Sequence, residues 1–175
     1  MDHNRYDYSP IIKRKPIKWP NGAKVAVWVI PNIEHYEFDI PSVGHQVFNL
    51  IPDIINYGWR DYRPRVGIWR LMEALDRYGV RGSVTLNSSV CDKYPIIIEE
   101  GKKRNWEFLG HGITNSQLLN GLSEEEERKV RHETVQTITK TVAKLPKDGW
   151  ACASGNLYHA RSIGRRGHPL SLRLV

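Results

Sequence analysis

A chain of 175 residues is long enough for one domain with a buried core, and 40% apolar with 26% charged residues is ordinary for a globular protein. No apolar run reaches the ~18 residues of a membrane-spanning helix, and the polar N-terminus, Met-Asp-His-Asn-Arg-Tyr-Asp-Tyr, lacks the apolar core of a secretory signal. The net charge of +7 is unevenly spread: residues 1–150 hold 22 Lys+Arg against 19 Asp+Glu, while residues 151–175 hold four Arg and no acid, so the larger part shows no basic face for tracking phosphates.

Two cysteines, Cys91 and Cys152, make neither a disulfide framework nor a zinc cluster, which points to a reducing, cytoplasmic setting. The expected partner is a small molecule rather than a nucleic acid or a membrane, with homo-oligomerisation left open.

Residues 1–22, with Pro10, Pro16 and Pro20, read as an extended arm. The β-branched run Lys24–Ile30 predicts a strand buried on both faces and ended by Pro31. Residues 32–62 show no clear period and carry Pro41, Gly44, Pro52 and Gly58; their aromatic residues favour an ordered, functional loop. Ile68, Leu71, Met72 and Leu75 predict a helix over residues 66–78, stopped by Gly79. A second strand is expected over 81–87, a helix over 95–104 with Pro95 in its first turn, and a third strand over 106–109. Ser123-x-x-Glu126 is a capping box opening a helix to about Lys144. Alternating strands and helices imply an α/β fold with a parallel sheet or a (β/α) barrel.

Parallel sheets place ligands at the carboxyl ends of their strands. Past the first strand come Asn32, Glu34, His35, Glu37 and Asp39, suited to acid/base work or cation binding, or else merely solvating a loop. Asn87 ends the second strand on the same rim. Past the third comes Gly110-His111-Gly112-Ile113-Thr114-Asn115-Ser116, whose glycines permit a sharp turn. His111 is open to three roles: general base, metal ligand, or donor to a developing oxyanion. Asn115 sits where a second His would complete a metal pair, and an amide is a poor ligand for a divalent transition metal. Cys91, with no identifiable His partner, reads as core, and Trp59 as core or pocket wall.

Three segments together carry a family resemblance: Val25-Ala-Val-Trp-Val-Ile-Pro-Asn-Ile-Glu34, Tyr62-Arg-Pro-Arg-Val-Gly-Ile-Trp-Arg70 and Gly110–Ser116. Over about residues 5 to 150 the chain resembles the polysaccharide deacetylase (NodB-homology) superfamily, in the branch of metal-independent-type allantoinases. The resemblance implies the N-terminal part of a distorted (β/α) barrel over residues 23–150. It also implies hydrolysis of a non-peptide C–N bond in an acetamido sugar, cyclic amide or ureide. Metal-dependent members end their first strand with paired aspartates and carry His-x-x-x-His; here Ile30-Pro31-Asn32 and His111…Asn115 stand instead. No cofactor is therefore expected, and His111 is the only plausible ligand should zinc bind. By the same resemblance His111 and Glu34 take catalytic, acid/base or polarising roles, and Asn32, Asn115, Glu37 and Trp59 bind substrate.

Residues 151–175 depart from the family. One back-translation of residues 155–174, shifted by one nucleotide, reads like the family's continuation, so a frameshifted tail and a truncated barrel are expected. Such a chain should leave an open sheet edge and an uncovered apolar face, and should be weakly active or inactive. The alternative is a non-catalytic binding or scaffold remnant of the same fold.

Overall fold

A computed structural model describes residues 8–40 and 51–142 of the chain. The tail at 151–175, part of the arm at 1–7 and residues 41–50 lie outside the described residues. The core is a three-stranded parallel sheet in the order β1 (Asn32–Ile33), β2 (Ser83–Leu86), β3 (Glu107–Gly110). Helices α1 (Ile54–Tyr62) and α2 (Ile68–Arg77) lie between β1 and β2. Helices α3 (Ser89–Lys93) and α4 (Pro95–Lys103) lie between β2 and β3, and α5 (Glu124–Val142) follows β3.

Register assigns the two faces of the sheet. Ile33 pairs with Leu86, Leu86 with Gly110, and Val84 with Phe108. Paired residues share a face, and this one packs on Ile68, Met72 and Leu75 of α2, Ile97 and Ile98 of α4, and Ile138 and Val142 of α5. The opposite face carries Asn32, Thr85 and Leu109 in one row and Ser83 and Glu107 in another. Within the regular strands that face is mostly polar. The helices cover the apolar side and leave hydroxyl, amide and carboxylate groups on the other.

The first strand also differs from expectation. Val25, Val27, Trp28 and Ile30 are exposed, and the regular strand begins only at Asn32. Pairing nevertheless reaches back past Pro31, because the N–H groups of Ser83, Thr85 and Asn87 donate to the carbonyls of Val29, Pro31 and Ile33 at 3.0, 3.0 and 3.1 Å. In this register the return bond to Ser83 would have to come from residue 31, and proline has no N–H to give. Pro31 thus interrupts the ladder without ending the strand. The tolerance is that of an edge strand, which β1 is among the described residues.

The segment read as an aperiodic loop contains α1. Asp53 caps it, its carboxylate accepting from the Asn56 N–H at 3.1 Å. Between α1 and α2 the chain makes one π-helical turn, Arg63–Gly67, in which the Ile68 N–H reaches the Arg63 carbonyl five residues back. A wide turn accommodates Pro64, which cannot donate to an α-helical ladder. The expected helix over 66–78 is α2 with the end of this turn. The capping box forms: the Ser123 N–H donates to Glu126 Oε2 at 2.8 Å, and the Glu126 N–H to Ser123 Oγ at 3.3 Å. No helix among the described residues is long and apolar enough to cross a membrane.

Candidate active site

One residue beyond the paired row Ile33, Leu86, Gly110 stand Glu34, Asn87 and His111, on the polar face and at the carboxyl ends of all three strands. The ladder continues this far, since the His111 N–H donates to the Leu86 carbonyl at 2.8 Å. Gly112 follows at φ +83°, a left-handed conformation that side chains resist, and it turns the chain from β3 into the loop that holds Asn115.

Glu34 Oε1 lies 3.6 Å from His111 Nε2, an ion-pair distance somewhat beyond a hydrogen bond, with both side chains largely buried. Glu34 Oε2 accepts from the Tyr36 hydroxyl at 3.0 Å and from Arg63 Nη1 at 3.1 Å. Burial pushes the Glu34 carboxyl up, but the neighbouring His111 imidazole and hydrogen bonds from Tyr36 and Asn115 outweigh it and hold the group below its ordinary value. Glu34 is accordingly a carboxylate at neutral pH, ringed by donors. Arg60 stacks on the Tyr36 ring, its guanidinium 4.0 Å from the ring centre.

Asn115 spans two of these groups. Its Nδ2 donates to the Tyr36 oxygen at 3.1 Å, and its Oδ1 accepts from Asn87 Nδ2 at 3.1 Å. Asn32 is exposed one row below Glu34 on the same face, its side-chain oxygen accepting from the Thr85 hydroxyl. The sheet thus brings together Glu34, His111, Asn115 and Asn32. Glu37 turns elsewhere: its carboxylate lies 3.5 Å from Nε2 of the buried His35, and its backbone N–H donates to Ser116 Oγ at 2.8 Å. Alternation along the strand carries His35 to the helix side, where its Nδ1 is 3.4 Å from the Tyr94 hydroxyl. Burial holds the His35 imidazole below its ordinary value, against the pull of the Glu37 charge. Trp59 sits in α1 at 65% exposure, one turn before Arg63. Cys91 is core, as expected, and burial raises its thiol.

Tyr36, Arg60 and Arg63 escaped the sequence reading. The signal available for the arginines was Asp53, whose position three residues before Asn56 marks a helix start and so places Arg60 and Arg63 on one ordered segment.

Among the described residues the donors at this rim do not suit a divalent metal. Among the described residues no three His, Cys, Asp or Glu converge on one point. Glu34, the carboxylate nearest His111, already faces the Arg63 guanidinium, whose positive charge would oppose a cation there.

No protein-family model and no curated protein matches the sequence. Solved structures do match in shape. One is the PuuE allantoinase, with a TM-score of 0.74 at 17% identity over 93% of this chain. Another is a probable polysaccharide deacetylase from Pseudomonas aeruginosa PAO1, with a TM-score of 0.75 at 20% identity over 89% of this chain. The fold is the N-terminal part of a NodB-like barrel. This chain spans 59% of the allantoinase chain and 56% of the deacetylase chain. Glu34, Asn87 and His111 therefore stand at the strand ends of a barrel fold, the rim where such folds bind ligands.

Proposed function

We propose that this protein hydrolyses a non-peptide C–N bond, in a small cyclic amide or ureide or in an acetamido sugar, without a metal. The observation that carries the reading is the buried Glu34–His111 pair at the carboxyl ends of the strands. The allantoinase and deacetylase names of the shape neighbours support the substrate class.

In this reading Glu34 holds the imidazole with its proton on Nε2, which leaves the lone pair on Nδ1. Nδ1 takes a proton from water as the water oxygen attacks the substrate carbonyl carbon. The carbonyl π electrons move to oxygen, and the ionised Glu34 stabilises the imidazolium that results. As the tetrahedral intermediate collapses the C–N bond breaks, its electrons go to nitrogen, and the imidazolium returns the proton there. Asn32 and Asn115 orient the substrate amide, and Arg63 at the rim supplies positive charge for the oxyanion. Trp59, exposed one turn before Arg63, is assigned to the outer wall of the substrate site, and Glu37, turned toward His35, is left out of it.

The test is to incubate the protein with allantoin, a cyclic imide, an N-acylated amino sugar and a chitin oligomer, and to follow release of amine, carboxylate or acetate. Turnover of one class, lowered at least ~100-fold by His111→Ala, is expected. Turnover unchanged by that substitution would remove His111 from the chemistry. Binding of these compounds with no turnover would favour a non-catalytic binding module.

A further inference from the structure

Asn87 is completely buried, and its side chain makes three hydrogen bonds at the strand ends. Its Oδ1 accepts from the His35 backbone N–H at 2.9 Å, and its Nδ2 donates to the His111 backbone carbonyl at 2.6 Å. A backbone N–H can only donate and a backbone carbonyl can only accept, so these two bonds leave the Asn87 amide one orientation. Nδ2 then has a second proton, which goes to Asn115 at 3.1 Å. The atom of Asn115 that receives it must be the acceptor, Oδ1. The NH2 of Asn115 is thereby turned toward the Tyr36 hydroxyl and the Glu34 carboxylate.

We propose that Asn87 is a positioning residue for the Glu34–His111 pair: it fixes which way the Asn115 amide faces, so that a donor rather than an acceptor meets Glu34. The assignment rests on the hydrolase reading for its purpose, but its geometry stands independently. Were Asn115 reversed, its carbonyl oxygen would face the carboxylate and compete with Glu34 for the Tyr36 proton. Asn87 also links all three strand ends, through His35 after β1, its own place after β2, and His111 after β3. The amide that orients Asn115 is thus anchored to the same backbone that places the two catalytic side chains.

The direct test is the carbon-13 titration of the Glu34 carboxyl, assigned with Glu34→Gln, in wild type and in Asn87→Asp. Aspartate keeps the size and the bond from His35 but loses both donors, the one to the His111 carbonyl and the one to Asn115, so Asn115 turns its NH2 toward the new carboxylate. The Glu34 midpoint is expected to rise by at least ~0.5 pH unit. Asn115→Leu should raise it as well, and Asn87→Asp added to Asn115→Leu should raise it no further. An unchanged midpoint in Asn87→Asp overturns the proposal. So does a rise that persists undiminished in the double variant, because that would be a direct effect of the new charge. Should Asn87→Asp not fold, an unchanged midpoint in Asn115→Leu overturns it equally. In turnover, kcat should fall with KM little altered and the acidic limb of the rate profile should move to higher pH. A merely structural role would lower stability and leave that limb in place. If wild type hydrolyses nothing while the titrations behave as described, the hydrolase reading fails and the positioning of Glu34 survives.

Discussion

Ile138 is fully buried on α5, among the residues that pack the helices onto the apolar face of the sheet. Truncation to alanine removes three carbon groups, worth about 0.8 kcal/mol each by transfer alone. The cavity left behind brings the expected cost to about 3–4 kcal/mol, because a site held between a helix and a strand collapses only in part. In a domain of this size that corresponds to a Tm lower by roughly 6–16 °C. Val135, three residues earlier on the same helix, is 40% exposed, and Val135→Ala should cost less than ~1 kcal/mol. Urea unfolding of wild type and both variants gives the two costs, provided the denaturant slopes agree. If Ile138→Ala costs under ~1 kcal/mol, or no more than Val135→Ala, then α5 does not seal the sheet and the packing described above is wrong.

Ser123→Ala removes the capping hydroxyl and should destabilise the protein by about 1 kcal/mol in the same assay, whereas Ser123→Asp should restore most of the loss. Gly101→Ala opposes two effects: a helix gains about 1 kcal/mol from the exchange, but the new Cβ would lie 2.8 Å from Cζ of the buried Phe108, where overpacking costs about 1–3 kcal/mol. A net loss of stability is expected, and a net gain would show that the Phe108 ring moves aside freely. Acid should destabilise the fold in two stages. His35, held below its ordinary value in the folded chain, costs stability as pH falls through the ordinary histidine range near about 6.5. The contribution of Glu34, also held low, is in place above the ordinary carboxylate value and is lost as pH falls through its folded value. His35→Gln should flatten the first stage of a Tm-against-pH curve and leave the second; an unaltered first stage would clear His35 of that role.

Local signals in the sequence reported local structure well. The Ser123-x-x-Glu126 box opens α5, Pro95 opens α4, and the apolar run before Gly110 is β3. His111, Asn87 and Glu34 could be placed on one rim because parallel strands all end on the same side. Two features broke the rule that apolar patterning marks burial. Val25, Val27 and Ile30 look like an interior strand yet are exposed at the sheet edge. Helix α1 exposes Ile54, Ile55 and Trp59 and buries Asn56, so no apolar stripe announced it. Arg63 and Tyr36 were hidden for a different reason: their meaning lies in a shared carboxylate, and the separation of 29 positions between Glu34 and Arg63 holds no spacing that records it. The orientation of Asn115 is likewise set by bonds to Asn87, which only the assembled strand ends supply.

The proposed hydrolysis assigns C–N cleavage to the Glu34–His111 pair, with no metal. Its most direct test is the hydrolysis rate of chelator-treated wild type beside that of Glu34→Gln, on whichever amide the substrate panel identifies. The rate should be unaffected by chelation and fall at least ~100-fold in Glu34→Gln. A rate abolished by the chelator and restored by zinc, or a Glu34→Gln variant as fast as wild type, would contradict it.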